Sequence, residues 1–186
     1  DVPVVQMDSV IGNKSGKVLL TMFSQNTNLL LAFLRDHNTA RSVLDVFNDL
    51  YAMFGREIYC RLFPVILTDR GSEFSNPVPI EQDENDELRS LVFYCNPSAP
   101  YQKGGIEVAH ELVRRVLPKG KSFDDLQQED IDLMLSHINS YKRGKLNSRS
   151  AYQLFNFIYG DDILPKLNIR EIEANDIVLS PKLLKK

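Results

Sequence analysis

Residues 94–115 read YCNPSAPYQKGGIEVAHELVRR. Val92, Phe93 and Tyr94 close a short apolar strand, and Pro97 and Pro100 stiffen the loop that follows. Gly104 and Gly105 then loosen the backbone where a helix begins. In that helix Glu107, His110, Glu111 and Arg114 recur at three- and four-residue spacing and share one face, while Ala109, Leu112, Val113 and Val116 line the other. A carboxylate just inside such a helix either ligates a metal or answers the helix dipole. Glu107 alone does not decide between the two; the positions of the other acids do.

Upstream, Pro64 opens the run VILTD, apolar almost throughout and ending at Asp69, as expected of a parallel strand buried on both faces. The chain begins with three more strands, at residues 2–10, 17–23 and 29–34, joined by the turns GNKSG and QNTN into a meander. The period then changes. Asn38 or Thr39 caps a helix carrying Val43, Leu44, Phe47, Leu50, Tyr51 and Phe54, Gly55 stops or breaks it, and a second helical piece covers residues 56–63. Beyond residue 115, Ser122 with Asp125 resembles a capping box for a helix reaching about residue 141, with Ile131, Met134, Leu135 and Ile138 inward. Another helix over residues 151–159 turns Leu154, Phe155 and Ile158 inward. The tail holds a short helix, a strand at residues 176–179 and a frayed end at its two terminal lysines. A meander joined to a βαβ unit predicts an α/β fold, a mixed five-stranded sheet flanked by helices.

The 186 residues suffice for one core, predicted over residues 1–160, with a C-terminal extension over 161–186. Hydrophobic content of 43% and charged content of 25% are ordinary for a globular domain, and no apolar run reaches membrane-spanning length. The opening DVPVVQMD has no leader character and enters a strand almost at once, which suggests an excised domain. Cys60 and Cys95 are isolated and suggest neither zinc nor a disulfide framework, so a cytoplasmic setting fits. The net charge of −3 speaks mildly against nucleic acid, yet Arg114, Arg115, Lys119 and Lys121, and then Lys142, Arg143, Lys145 and Arg149, form two segments free of acids. These either contact phosphates or are ordinary solvated surface. Glu81–Glu87, with five acids, reads as a solvated loop. No dinucleotide fingerprint, P-loop or nucleophile elbow is present.

Three acids occupy comparable places: Asp8 near the end of the first strand, Asp69 at the end of the fourth, and Glu107 at the start of the helix after the fifth. With the first and fourth strands as neighbours, the two aspartates meet at one sheet edge and the Glu107 helix crosses them. Clustered carboxylates ionise together only around a cation, and Mg²⁺ or Mn²⁺ takes such oxygen ligands. Two such ions about 4 Å apart serve phosphoryl transfer. Glu73 is a spare ligand or a solvated turn residue, His110 a proton shuttle or a plain surface histidine, and His37 and His137 structural or exposed. Tyr101, Gln102 and Lys103 touch DNA or pack the loop.

TDRGSEF at 68–74 and FYCNPSAPYQKGGIE at 93–107 resemble the catalytic core of a DDE transposase of the insertion-sequence-thirty family, within the retroviral-integrase superfamily. The resemblance runs from QMDSVIG through KVLLT, PKGKSFDDL and HINSYKRGKLN to AYQLF, nearly the whole chain. It implies a ribonuclease H-like fold, a catalytic and metal-ligating triad of Asp8, Asp69 and Glu107, and two Mg²⁺ or Mn²⁺ ions. It also implies DNA ends and target DNA as partners, a basic position near DNA at Arg114, and a homo-oligomer, a dimer; Arg70, Lys103, Arg115 and Lys119 are further candidates for DNA contact from the residues themselves. The implied chemistry is strand cleavage by water and then attack of the freed 3′-hydroxyl on target DNA. The sequence departs from the family at Ser9 (usually Thr), Arg70 (Asn), Asn96 (Asp), and at Val108 and Ala109 (polar residues). Arg70 either competes with a cation or swings out to phosphate. These departures motivate a second reading, a non-catalytic descendant that binds DNA or itself.

Overall fold

The computed structural model describes residues 2–96 and 99–184. Pro97 and the terminal lysines lie outside the described residues. Strands β1 (Val4–Ile11), β2 (Val18–Ser24) and β3 (Leu30–Arg35) form the meander; β4 (Val65–Thr68) and β5 (Leu91–Tyr94) complete one sheet ordered β3-β2-β1-β4-β5. β1 pairs antiparallel with β2 and parallel with β4, and β4 pairs parallel with β5. This is the mixed five-stranded sheet expected. Each crossover into the parallel half carries helical structure: α1 (Ala40–Leu62) before β4, the short α2 (Val78–Glu81) before β5.

The β1–β4 register places the site. Val4 pairs with Val65 and Gln6 with Leu67. Continued two residues, it sets Asp8 opposite Asp69. The Thr68 hydroxyl donates to the Met7 carbonyl at 3.1 Å and locks the strands together at that end.

Helix α1 starts at Thr39, whose side chain accepts from the Ser42 N–H. It is interrupted at Gly55, with φ 72° and ψ 165°, in the left-handed region that Gly enters without steric cost. Helix α3 (Gly104–Val116) buries Ile106, Ala109, Leu112, Val113 and Val116 against the sheet. Helix α4 (Gln128–Ser140) follows, then the two-stranded ribbon β6 (Lys142–Arg143) and β7 (Arg149–Ser150), then α5 (Ala151–Tyr159) and α6 (Ile163–Lys166). The ribbon lies inside the basic loop, which looked irregular in the sequence. One hydrophobic cluster joins Met7, Leu20, Phe47, Ile66, Val113 and Ile138 to Ile163, Leu164, Leu167 and Leu184 of the tail.

Several details differ from expectation. Helix α4 is capped by Gln127 with Asp130, five residues after Ser122, because Phe123 and Leu126 are drawn into the core and hold the intervening segment as a turn. Residues 176–179 form no strand: the Val178 N–H goes to His137 Nδ1 at 3.0 Å instead of a ladder. Ile158 faces solvent, because Phe155 and Ala151 take the inner stripe of α5. The acidic loop is partly built in: the Asp83 carboxylate accepts from the Asn85 and Glu87 N–H groups and from the Tyr51 hydroxyl.

Candidate active site

Asp8, inside β1, and Asp69, just past the carboxyl end of β4, are held in matching ways. Asp8 Oδ1 accepts from the Ser9 N–H at 2.8 Å, and Asp69 Oδ1 accepts from the Gly71 N–H at 2.9 Å. That leaves both Oδ2 atoms to face one point. Lys103 Nζ sits there, 3.0 Å from Asp8 Oδ2 and 2.9 Å from Asp69 Oδ2. The Lys103 side chain is only 9% exposed, whereas Asp8 and Asp69 are 26% and 46% exposed, so the lysine stem is buried while the carboxylates still face the open cleft. Burial works against the charge on Lys103, but Asp69 and Asp8 outweigh it and push its pKa up. Burial works against charge on Asp69 too, and is outweighed by the hydrogen bonds from Lys103 and the Gly71 N–H, which hold the carboxyl below its usual range.

Asp8, Asp69 and Glu107 line one open cleft with Cys95, Asn96, Ala99 and Lys103. The expected triad therefore shares a cleft, with Glu107 exposed at its wall. Among the described residues, however, no three carboxylate, imidazole or thiol groups converge closely enough to hold a metal ion. The donor set still suits a hard cation: two carboxylate oxygens already converge on one positive charge, and that charge is an ammonium.

Glu107 owes its position to Gln6, a residue that sequence reasoning missed. Lys103 gives α3 no side-chain cap; instead Gln6 Oε1, from β1, accepts the Ile106 N–H at 2.7 Å while its Nε2 donates to the Gln102 carbonyl. Gln6 is 3% exposed, and a buried Gln on an otherwise apolar strand was the available signal. Gly105 permits the close approach, since a Cβ there would lie 2.5 Å from Phe23 Cε1 and 3.1 Å from Gln6 Oε1.

The other candidates divide. The Thr21 hydroxyl donates to the Asp8 carbonyl, so it accepts at 2.8 Å from His110 Nε2, which carries the proton. Burial pushes the His110 pKa down and keeps the ring neutral. Arg114 donates to the Ile11 carbonyl at 3.0 Å, and burial lowers its pKa. Arg115 and Lys119 are exposed. Arg70 does not enter the space between the aspartates: its guanidinium lies over the Tyr94 ring, 5.5 Å from the centroid. The cation that does is Lys103, whose ammonium is thereby engaged away from the surface. Glu73 does not line the cleft, and it is half-buried. It accepts from Ser9 Oγ at 2.8 Å and from Asn38 Nδ2, and Ser9 Oγ also accepts from Arg35. Burial lowers the Arg35 pKa to about 10. This polar cluster ties the residue after Asp8 to the turn after Asp69. Ala109 is fully buried in the core.

The fold is that of a ribonuclease H-like integrase catalytic core. The catalytic core domain of BIV integrase superposes with a TM-score of 0.54 at 21% identity, covering 84% of this chain and 92% of that one. A chain of the simian T-cell lymphotropic virus intasome in complex with the PP2A regulatory subunit B56 gamma gives 0.59 at 17% identity, over 91% and 58%. No family model matches the chain. In sequence it is similar to integrases and to insertion-sequence transposases over most of its length. The ORF3 protein of Spiroplasma virus SpV1-R8A2 B, assigned as an integrase, is 29% identical over 154 residues, 81% of this chain and 45% of that protein. The transposase for insertion sequence element IS4351 of Bacteroides fragilis is 23% identical over 151 residues, 81% and 44%. Transposase InsI for IS30A of Escherichia coli K12 is 22% identical over 147 residues, 79% and 36%. The chain thus spans less than half the length of these relatives.

Proposed function

We propose that this chain is the catalytic core of a DNA transposase, cleaving a strand and transferring it with the help of divalent metal ions. One observation carries the reading: Asp8 and Asp69, far apart in sequence, each present one oxygen to the same cation within about 3 Å. Asp8 and Asp69 would hold Mg²⁺ or Mn²⁺, with Glu107 completing the ligand set from the cleft wall. The bound ions would activate the attacking oxygen and stabilise the leaving one. The protein's own part is to fix the carboxylates: main-chain N–H groups orient both aspartates, and Gln6 docks the helix that bears Glu107. Three acids around one cleft repel a phosphate backbone, so cations must balance them before DNA can approach. Arg70, Arg115 and Lys119 are exposed and suited to phosphate contacts. A homo-oligomer, in the simplest case a dimer, brings two DNA ends together.

A Y-shaped DNA that mimics the strand-transfer product tests the chemistry in reverse, without knowledge of any end sequence. With Mn²⁺ the chain resolves it into two pieces. Asp69→Asn reduces resolution to background while the circular dichroism spectrum stays unchanged. Resolution by Asp69→Asn at the original rate would sink the reading. A second reading, a non-catalytic DNA-binding or self-associating descendant, is favoured by the Lys103 bridge, which offsets part of the aspartates' charge without any metal. It predicts DNA affinity that is the same with and without Mn²⁺.

A further inference from the structure

We infer that Lys103 is a tethered stand-in for the metal: it holds Asp8 and Asp69 in ligand position when no divalent ion is present, and such an ion binds between them only by displacing it. The inference rests on the metal-dependent reading above. Three features carry it. The ammonium contacts both Oδ2 atoms, at 3.0 and 2.9 Å, so it occupies the point that a bridging cation would need. The other oxygen of each carboxylate is fixed by a main-chain N–H, so the free oxygens keep their aim when Lys103 leaves. The lysine side chain is 9% exposed, while Asp8 and Asp69 are 26% and 46% exposed, so removing the lysine leaves two part-exposed carboxylates facing each other without a counter-charge. Lysine suits the part because its ammonium is a compact point charge on a flexible stem, whereas a guanidinium is a wide planar fork. Lys103 also ends the turn Pro100–Lys103 at Gly104, where a Cβ would meet nothing within 4 Å, so the chain beside it is uncrowded.

Competition lowers the apparent affinity for metal by the fraction of time that the site stands free. Titration of the 186-residue chain with Mn²⁺, followed by the electron paramagnetic resonance signal of the free ion, reads this directly. Lys103→Met binds Mn²⁺ at least about tenfold more tightly than the original chain, since the competing charge is gone. In EDTA the same variant melts at a lower temperature, because two carboxylates then face each other unbalanced, and Mn²⁺ raises its melting temperature by more than it raises that of the original chain. Lys103→Gln, tested in the same way, covers the case in which the Met variant does not fold without metal. Equal or weaker binding by a folded variant, with binding in both proteins abolished by Asp69→Asn, overturns the inference and leaves the metal site standing. If neither protein binds Mn²⁺, or binding survives Asp69→Asn, the metal reading of the cleft fails and the inference falls with it.

Discussion

His137 shows what one buried side chain can do at a distance from the cleft. Its Nδ1 accepts the Val178 N–H, which requires the ring to be neutral, and burial pushes its pKa down. The sign follows from linkage. A histidine whose folded pKa lies below its unfolded value of about 6.5 contributes stability that is fully present above that pH and is lost as pH falls through the folded pKa. Amide exchange at Val178 should therefore speed up on acidification below about pH 6.5, ahead of global unfolding. His137→Asn offers an acceptor that does not titrate, and it should flatten that dependence. Exchange at Val178 that ignores pH, once the intrinsic exchange rate is divided out, would show that the hydrogen bond does not hold the tail.

At the scale of elements, the docking of α3 on β1 and β2 decides whether Glu107 reaches the cleft at all. Two adjacent glycines separate conformational freedom from close approach. A Cβ at Gly104 meets nothing within 4 Å, whereas one at Gly105 meets Phe23 at 2.5 Å. Gly104→Ala should be neutral or slightly stabilising, since Ala restricts the unfolded chain. Gly105→Ala should cost about 1–3 kcal/mol by overpacking and should weaken the Gln6 cap. Urea denaturation of the pair checks this; equal midpoints would contradict the close packing of α3. The GG doublet was visible in the sequence, but which of the two the fold needs depends on Phe23, in a strand far away along the chain.

For the whole molecule, the question is whether the tail belongs to the core. Leu164 is fully buried, and Ile163, Leu167, Ile169 and Leu184 join the same cluster as the sheet. Leu164→Ala should destabilise the chain by about 2–5 kcal/mol in a single cooperative transition, read by denaturant unfolding with both fluorescence and circular dichroism. Loss of much less, or a separate early transition, would mark residues 161–186 as an independent appendage.

Much of this architecture was legible in the linear chain. Alternating and continuous apolar runs located all five sheet strands to within a residue or two, because burial on one or both faces leaves a local period. The capping Thr39, the interruption at Gly55 and the span of α5 were equally local. Asp8 and Asp69 stood out as acids within or just after apolar strands and Glu107 as an acid in the first turn of α3, and the fold brings all three to one cleft. Tertiary structure decided the rest. Gln6 capping a helix 100 residues away, Glu73 turned from the cleft to Ser9, and the helix start moved from Ser122 to Gln127 all depend on which groups burial brings together. Above all, the sequence left Arg70 either competing with a cation or swinging outward; the fold sends it outward and puts Lys103 between the aspartates. Adjacency in the chain put Arg70 near Asp69, but the turn sends it out over Tyr94, while the loop before α3 carries the lysine stem inward to the point where the Asp8 and Asp69 carboxylates face each other.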